Sequence, residues 1–176
     1  MKVKKILVVA GLMLSIWARA GDAPVSSGLH VDPDNVVKEG AVLPVDGITS
    51  SGQPDKAALE VFSESGYAVV IDLRGESENR GMDEKAEVES LGMDYVLFPI
   101  EDRAAISFDN AAELDKLIES YDAPVLIHCG SGNRVGALLA LRQSLNGADD
   151  EAAVAYGKEG GLTGLEVVVR ERLGEK

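Results

Sequence analysis

The sequence predicts an α/β fold: three layers, with a mainly parallel central sheet flanked by helices. Three observations carry this. Short apolar runs such as Tyr67–Leu73 and Val125–Ile127 have the length and β-branched content of buried strands. Segments with apolar residues at helical spacing alternate with them, each closed by glycine or polar residues. Strands that alternate with helices need crossover connections, and crossovers build parallel sheets covered on both faces.

The elements follow in chain order. Lys2, Lys4 and Lys5 precede an apolar run, Ile6 to Trp17, and the small-x-small triplet Ala18-Arg19-Ala20. This is the pattern of a secretory signal peptide cleaved after Ala20, and the run is short for a membrane span. The expectation is a periplasmic or secreted protein with no membrane attachment after cleavage. Residues 21–40 are polar, with Pro24 and Pro33, and read as a loose or draped N-terminal arm. Residues 41–176 have the length of one domain.

Within that domain, Val42–Val45 and Gly47–Ser51 read as a short strand pair at a sheet edge. Asp55–Gly66 reads as a helix with Ala58, Leu59 and Phe62 inward. Tyr67–Leu73 is a strand, Asp83–Gly92 a helix with Ala86 and Val88 inward, and Tyr95–Ile100 a third strand. Phe108–Tyr121 is a helix, and the fourth strand begins at Val125. Three helices close the chain: Val135–Leu145, Asp149–Gly157 and Thr163–Leu173.

Thirty acidic residues face 17 basic ones, a formal net charge of −13. Removing the leader's four cations (Lys2, Lys4, Lys5, Arg19) takes −13 to −17. Such a surface repels nucleic acid and anionic lipid. An anionic substrate would need local positive potential, from Arg134 and a helix N-terminus, with Arg74 and Arg103 as further sources. A single cysteine excludes an intramolecular disulfide. One cysteine and two histidines, with His30 in the arm, make no zinc-ligand cluster. No cofactor is predicted.

The densest chemistry lies at His128-Cys129-Gly130-Ser131-Gly132-Asn133-Arg134. A strand ends in a cysteine, glycines follow, and a helix begins. Gly130 and Gly132 let successive backbone N–H groups turn into one concavity. The helix start adds unpaired N–H donors and the positive end of its dipole. Arg134 supplies a planar fork for two oxygens of a tetrahedral anion. A cysteine in so electropositive a turn favours the thiolate, the nucleophile for in-line attack.

This segment resembles the phosphate-binding signature of the cysteine-dependent phosphatases, the protein tyrosine and dual-specificity group. With Val135-Gly136-Ala137 it is most similar to a bacterial dual-specificity-phosphatase-like family. Ile48-Thr49-Ser50-Ser51-Gly52-Gln53-Pro54 and Tyr67-Ala68-Val69-Val70-Ile71-Asp72-Leu73-Arg74 resemble two further stretches of it, so the likeness spans about Val42 to Leu145.

The resemblance implies a cysteine-phosphatase-like fold. It implies Cys129 as nucleophile and Arg134 with the amides of Gly130, Ser131, Gly132 and Asn133 as the phosphate cradle. It places a general acid on a loop ahead of the cysteine. Asp102 lies 27 positions before Cys129, with Glu101 next. His128 is expected to be hydrogen-bonded beneath the loop, and Arg74 to be a salt-bridging residue of the rim.

There are two departures. Four residues, Gly130 to Asn133, separate Cys129 from Arg134, one fewer than in the phosphatases and as many as in rhodanese-like sulfurtransferases. Val135 replaces the hydroxyl residue that usually follows the arginine, leaving Ser131 as the substitute hydroxyl. The leading expectation is an exported, metal-independent phosphatase of phosphorylated small molecules or proteins, working through a phosphocysteine. The alternatives are a sulfurtransferase carrying persulfide on Cys129 and a non-enzymatic anion-binding module.

Overall fold

Five parallel strands form the central sheet of the computed structural model, which describes residues 25–175. They are β2 (His30–Val31), β4 (Ile48–Ser51), β7 (Val125–His128), β5 (Val69–Asp72) and β6 (Asp94–Leu97), in that spatial order. The expected mainly parallel α/β architecture is present. The expected signal peptide, residues 1–20, lies outside the described residues.

The period of two in the strand sequences divides the core. Val69, Ile71, Val125 and Ile127 face one side; Val70 and Leu126 face the other. The second side is covered by α1 (Pro33–Glu39), α2 (Lys56–Glu64) and α3 (Glu84–Ser90), through residues such as Val36, Phe62 and Val88. The first side packs α4 (Phe108–Glu119), α5 (Asn133–Leu145), α6 (Asp150–Glu159) and α7 (Glu166–Leu173), through residues such as Leu114, Leu138, Val154 and Val169. Asp55, Asp83, Ser107 and Asp149 each cap a helix by accepting a backbone N–H of its first turn.

Three expectations need correction. The stretch read as a loose arm carries β2 at the sheet edge, α1, and β1 (Ser26–Ser27), which pairs with β3 (Val42–Leu43) in a separate two-stranded sheet. The segment Gly47–Ser51 is not an edge strand: β4 lies between β2 and β7. In that central place Thr49, Ser50 and Ser51 are buried with every hydroxyl partnered. Thr49 Oγ1 meets Tyr67 Oη at 2.5 Å, Ser50 Oγ donates to the Gly160 carbonyl at 2.7 Å, and Ser51 Oγ to the Gly52 carbonyl at 2.8 Å. On α3, Ala86 is exposed, and Glu84 takes the inward place one turn before Val88.

Candidate active site

All residues of β7 are buried, and its register brings Ser51 of β4 and Asp72 of β5 beside His128. The next residue, Cys129, therefore lies at the carboxyl end of the central strand, where open α/β sheets bind ligands. Cys129 is 1% exposed.

The chain then turns. Gly132, at φ 81°, is the N-cap of α5, and its N–H donates to Cys129 Sγ at 3.1 Å. A Cβ there would lie 2.3 Å from His30 Cε1, so the position needs glycine for both conformation and space. The first-turn amides of α5 have no partner within the helix and open on the same turn. Gly52 backs the loop from β4, bridging to Ser131. Gly130 and Ser131 are exposed at its mouth. Asn133 differs: its side-chain oxygen accepts the N–H groups of Thr163 and Leu165, at 2.8 and 3.3 Å, and ties the loop to the segment before α7. Its side-chain oxygen is thereby turned away from the cradle.

Arg134 is gripped from outside. Nη1 and Nη2 donate to the two carboxylate oxygens of Glu78, at 2.5 and 2.8 Å, and Nη1 also donates to the Ile100 carbonyl at 3.2 Å. These bonds use three of the five guanidinium donors. The remaining two, on Nε and Nη2, lie on one edge and form a fork. The bond to Glu78 raises the Arg134 pKa, and the proximity of Cys129 raises it further. Reciprocally, hydrogen bonding to Arg134 holds the Glu78 carboxyl at about 2.

Glu78 is itself held. Its Oε1 accepts the Gly75 N–H at 2.9 Å. Arg80 donates to the carbonyls of Arg74, Gly75 and Glu78 and through Nε to Asp72 Oδ2 at 2.7 Å. Beneath lies a buried network. Arg74 bonds Asp72 at 3.1 Å and Glu84 at 2.7 Å, and Tyr95 donates to Asp72 at 2.9 Å. Burial pushes the Asp72 carboxyl up, but the bonds from Arg74 and Arg80 and the nearby His128 ring outweigh it and hold it at about 2.

Arg74 is thus ion-paired as expected, but at 2% exposure it lies under the rim and not on it. His128 Nε2 is 3.0 Å from Glu84 Oε1 without hydrogen-bond alignment. Asp72, Glu84 and His128 could together face a cation, but the guanidiniums of Arg74 and Arg80 already neutralise the two carboxylates.

Asp102 and Glu101 follow Ile100. Together with Arg103, Ile106, Leu165 and Arg134 they line a cavity of about 250 Å³. Asp102 is exposed, and its Oδ1 accepts the Ala105 N–H at 2.9 Å. Glu101 leans over Gly75, where an added Cβ would lie 2.6 Å from Glu101 Oε1. Of the expected site residues, then, Cys129, Gly130, Gly132 and Arg134 form one turn, and Asp102 shares a cavity with the arginine. Sequence reasoning missed Glu78, which pairs with Arg134; Arg80 and Glu84, which belong to the network beneath it; and His30, which packs on the loop. The Arg74-to-Glu84 run offers the only local signal: four acidic residues beside two arginines directly after a buried strand.

A family model described as "DSP-PTPase phosphatase fused to NAD+ Kinase" matches residues 46–163. A curated relative, a "Beta-lactamase hydrolase-like protein" of Xylella fastidiosa, is 34% identical over 101 residues, 55% of this chain and 23% of the relative's length. Among solved structures, a protein of Neisseria meningitidis described as a phosphatase aligns with TM-score 0.62 at 23% identity, covering 72% of this chain and 92% of that one. Tk-PTP in its active form aligns with TM-score 0.57 at 23% identity, covering 72% and 90%. These two likenesses concern the fold.

Proposed function

The chain belongs to the family described as DSP-PTPase phosphatase fused to NAD+ kinase, and on that premise we propose an exported, metal-independent hydrolase of phosphate monoesters that works through a phosphocysteine. The observation that carries the reading is the free edge of Arg134. Glu78 and Ile100 occupy its outer donors and leave a two-pronged fork beside Cys129 and the amides of the α5 N-terminus.

The roles follow from that geometry. The fork and the loop amides bind the phosphoryl oxygens, whose charge spreads in the transition state. The Cys129 thiolate attacks phosphorus in line; the S–P bond forms as the bond to the leaving oxygen breaks. Asp102, on the shared cavity, gives its proton to that oxygen. It then takes a proton from water as the water attacks phosphorus, releasing phosphate and restoring the thiolate. The Gly132 N–H, already on Sγ at 3.1 Å, stabilises the thiolate at both ends of the cycle.

The test is phosphate release from 4-nitrophenyl phosphate by reduced protein in the presence of chelator. The reading expects activity that vanishes in Cys129→Ser and falls about a hundredfold in Asp102→Asn. Sulfur transfer from thiosulfate to cyanide without phosphate release would replace it with the persulfide reading, which the four-residue loop favours. Phosphate binding with neither activity would leave an anion-binding module.

A further inference from the structure

One cation beside the site is left over. Of the seven arginines among the described residues, Arg74, Arg80, Arg134, Arg142, Arg170 and Arg172 each pair with a carboxylate. Arg103 is the exception. It is exposed in a chain with 30 acidic residues, and it lines the same cavity as Arg134 and Asp102.

The segment that carries Arg103 is fixed at both ends. Arg134 binds the Ile100 carbonyl at 3.2 Å, and Arg172 binds the Ile106 carbonyl at 3.0 Å. Between them, Asp102 accepts the Ala105 N–H, the Arg103 carbonyl accepts the Ile106 N–H at 3.3 Å, and Asn110 donates to the Ala105 carbonyl at 2.7 Å. The Arg103 backbone is therefore preorganised, so an anion that meets its guanidinium orders one side chain and not a loop.

We propose that Arg103 is a second anion subsite. The favoured substrate is a small phosphate ester that carries a further anionic group, a second phosphate or a carboxylate. Arg134 and the loop take the reacting phosphate, and Arg103 takes the other group. Between them Leu165 offers the carbon skeleton a partly exposed apolar wall, with Ile100 and Ile106 buried behind it and the carboxylates of Glu101 and Asp102 on the same rim. A cavity of about 250 Å³ suits a molecule of sugar-bisphosphate or phospho-acid size. This inference rests on the phosphatase reading.

The experiment compares fructose 1,6-bisphosphate with fructose 6-phosphate, and 3-phosphoglycerate with glycerol 3-phosphate, by phosphate release and by calorimetric binding to Cys129→Ser. One charge-assisted contact predicts a preference of about tenfold or more in kcat/KM and in Kd for the doubly anionic member. The pair that shows it tells a phosphate-selective from a carboxylate-selective subsite. Arg103→Ala should collapse the ratio towards one, Arg103→Glu should invert it, and Arg103→Lys should restore part of it. Equal kcat/KM and Kd within both pairs, or a ratio unmoved by Arg103→Glu, overturns the subsite while leaving the phosphatase reading intact. Absence of hydrolysis of every ester sinks the phosphatase reading alone, because the binding comparison still decides the subsite.

Discussion

The carboxylate of Glu78 closes on both terminal nitrogens of Arg134, at 2.5 and 2.8 Å, across 56 residues of chain. Two parallel charge-assisted bonds fix the plane of the guanidinium as well as its position. That plane decides which edge faces Cys129.

Glu78→Gln keeps the shape but halves the fork, since an amide has one acceptor oxygen. The expected result is a fall in kcat/KM of about tenfold on an aryl phosphate, with the thermal midpoint nearly unchanged because the Glu78 side chain is 38% exposed. A midpoint that collapses together with activity would make Glu78 a structural residue.

Arg74 carries the opposite expectation. It is buried between Asp72 and Glu84. Arg74→Met leaves two buried carboxylates with less compensation and should cost about 3–5 kcal/mol in urea unfolding at neutral pH. A loss below 1 kcal/mol would show that Arg80 alone balances both acids.

Acid stability follows from Asp72. Its folded value, about 2, lies below its ordinary 3.8. The unfolded chain therefore binds the proton more readily, and the contribution is complete above the ordinary carboxylate range. It is lost as pH falls through that range towards 2. For a fully buried carboxyl this is on the order of 2 kcal/mol. Urea midpoints should drop steeply between pH 4 and pH 2 in the wild type and less steeply in Asp72→Asn. Parallel slopes would assign the acid sensitivity to other carboxylates.

These residues also mark what the sequence made legible. The period of two at Val69-Val70-Ile71 and the run into Cys129-Gly130-Ser131-Gly132 are local, and both the two-sided sheet and the turn from Cys129 into α5 follow from them. Asp102, singled out by its chain distance from Cys129, shares a cavity with Arg134. Glu78 was not singled out, because nothing local links a loop carboxylate to an arginine 56 residues later. The two-residue strand β2 is too short for any periodicity. The buried hydroxyls of Thr49, Ser50 and Ser51 look like surface until their distant partners, Tyr67 and Gly160 among them, are known.

His30 makes a further long-range contact, and it yields the most separable prediction. Its Nδ1 lies 3.2 Å from Ser50 Oγ, and its ring fills the space over Gly132. Gly132→Ala incurs two costs: a left-handed residue with a Cβ, about 1–2 kcal/mol, and a collision with the ring at 2.3 Å. Stability and aryl-phosphate hydrolysis should both fall, since displacement of the loop moves the N–H that meets Cys129 Sγ. Adding His30→Ala removes the collision but not the backbone cost. The double variant should therefore be more stable than the sum of the two single losses allows, by about 1 kcal/mol or more in a double-mutant cycle. Simple additivity would mean that the ring swings clear of the new methyl and that His30 exerts no constraint on the loop.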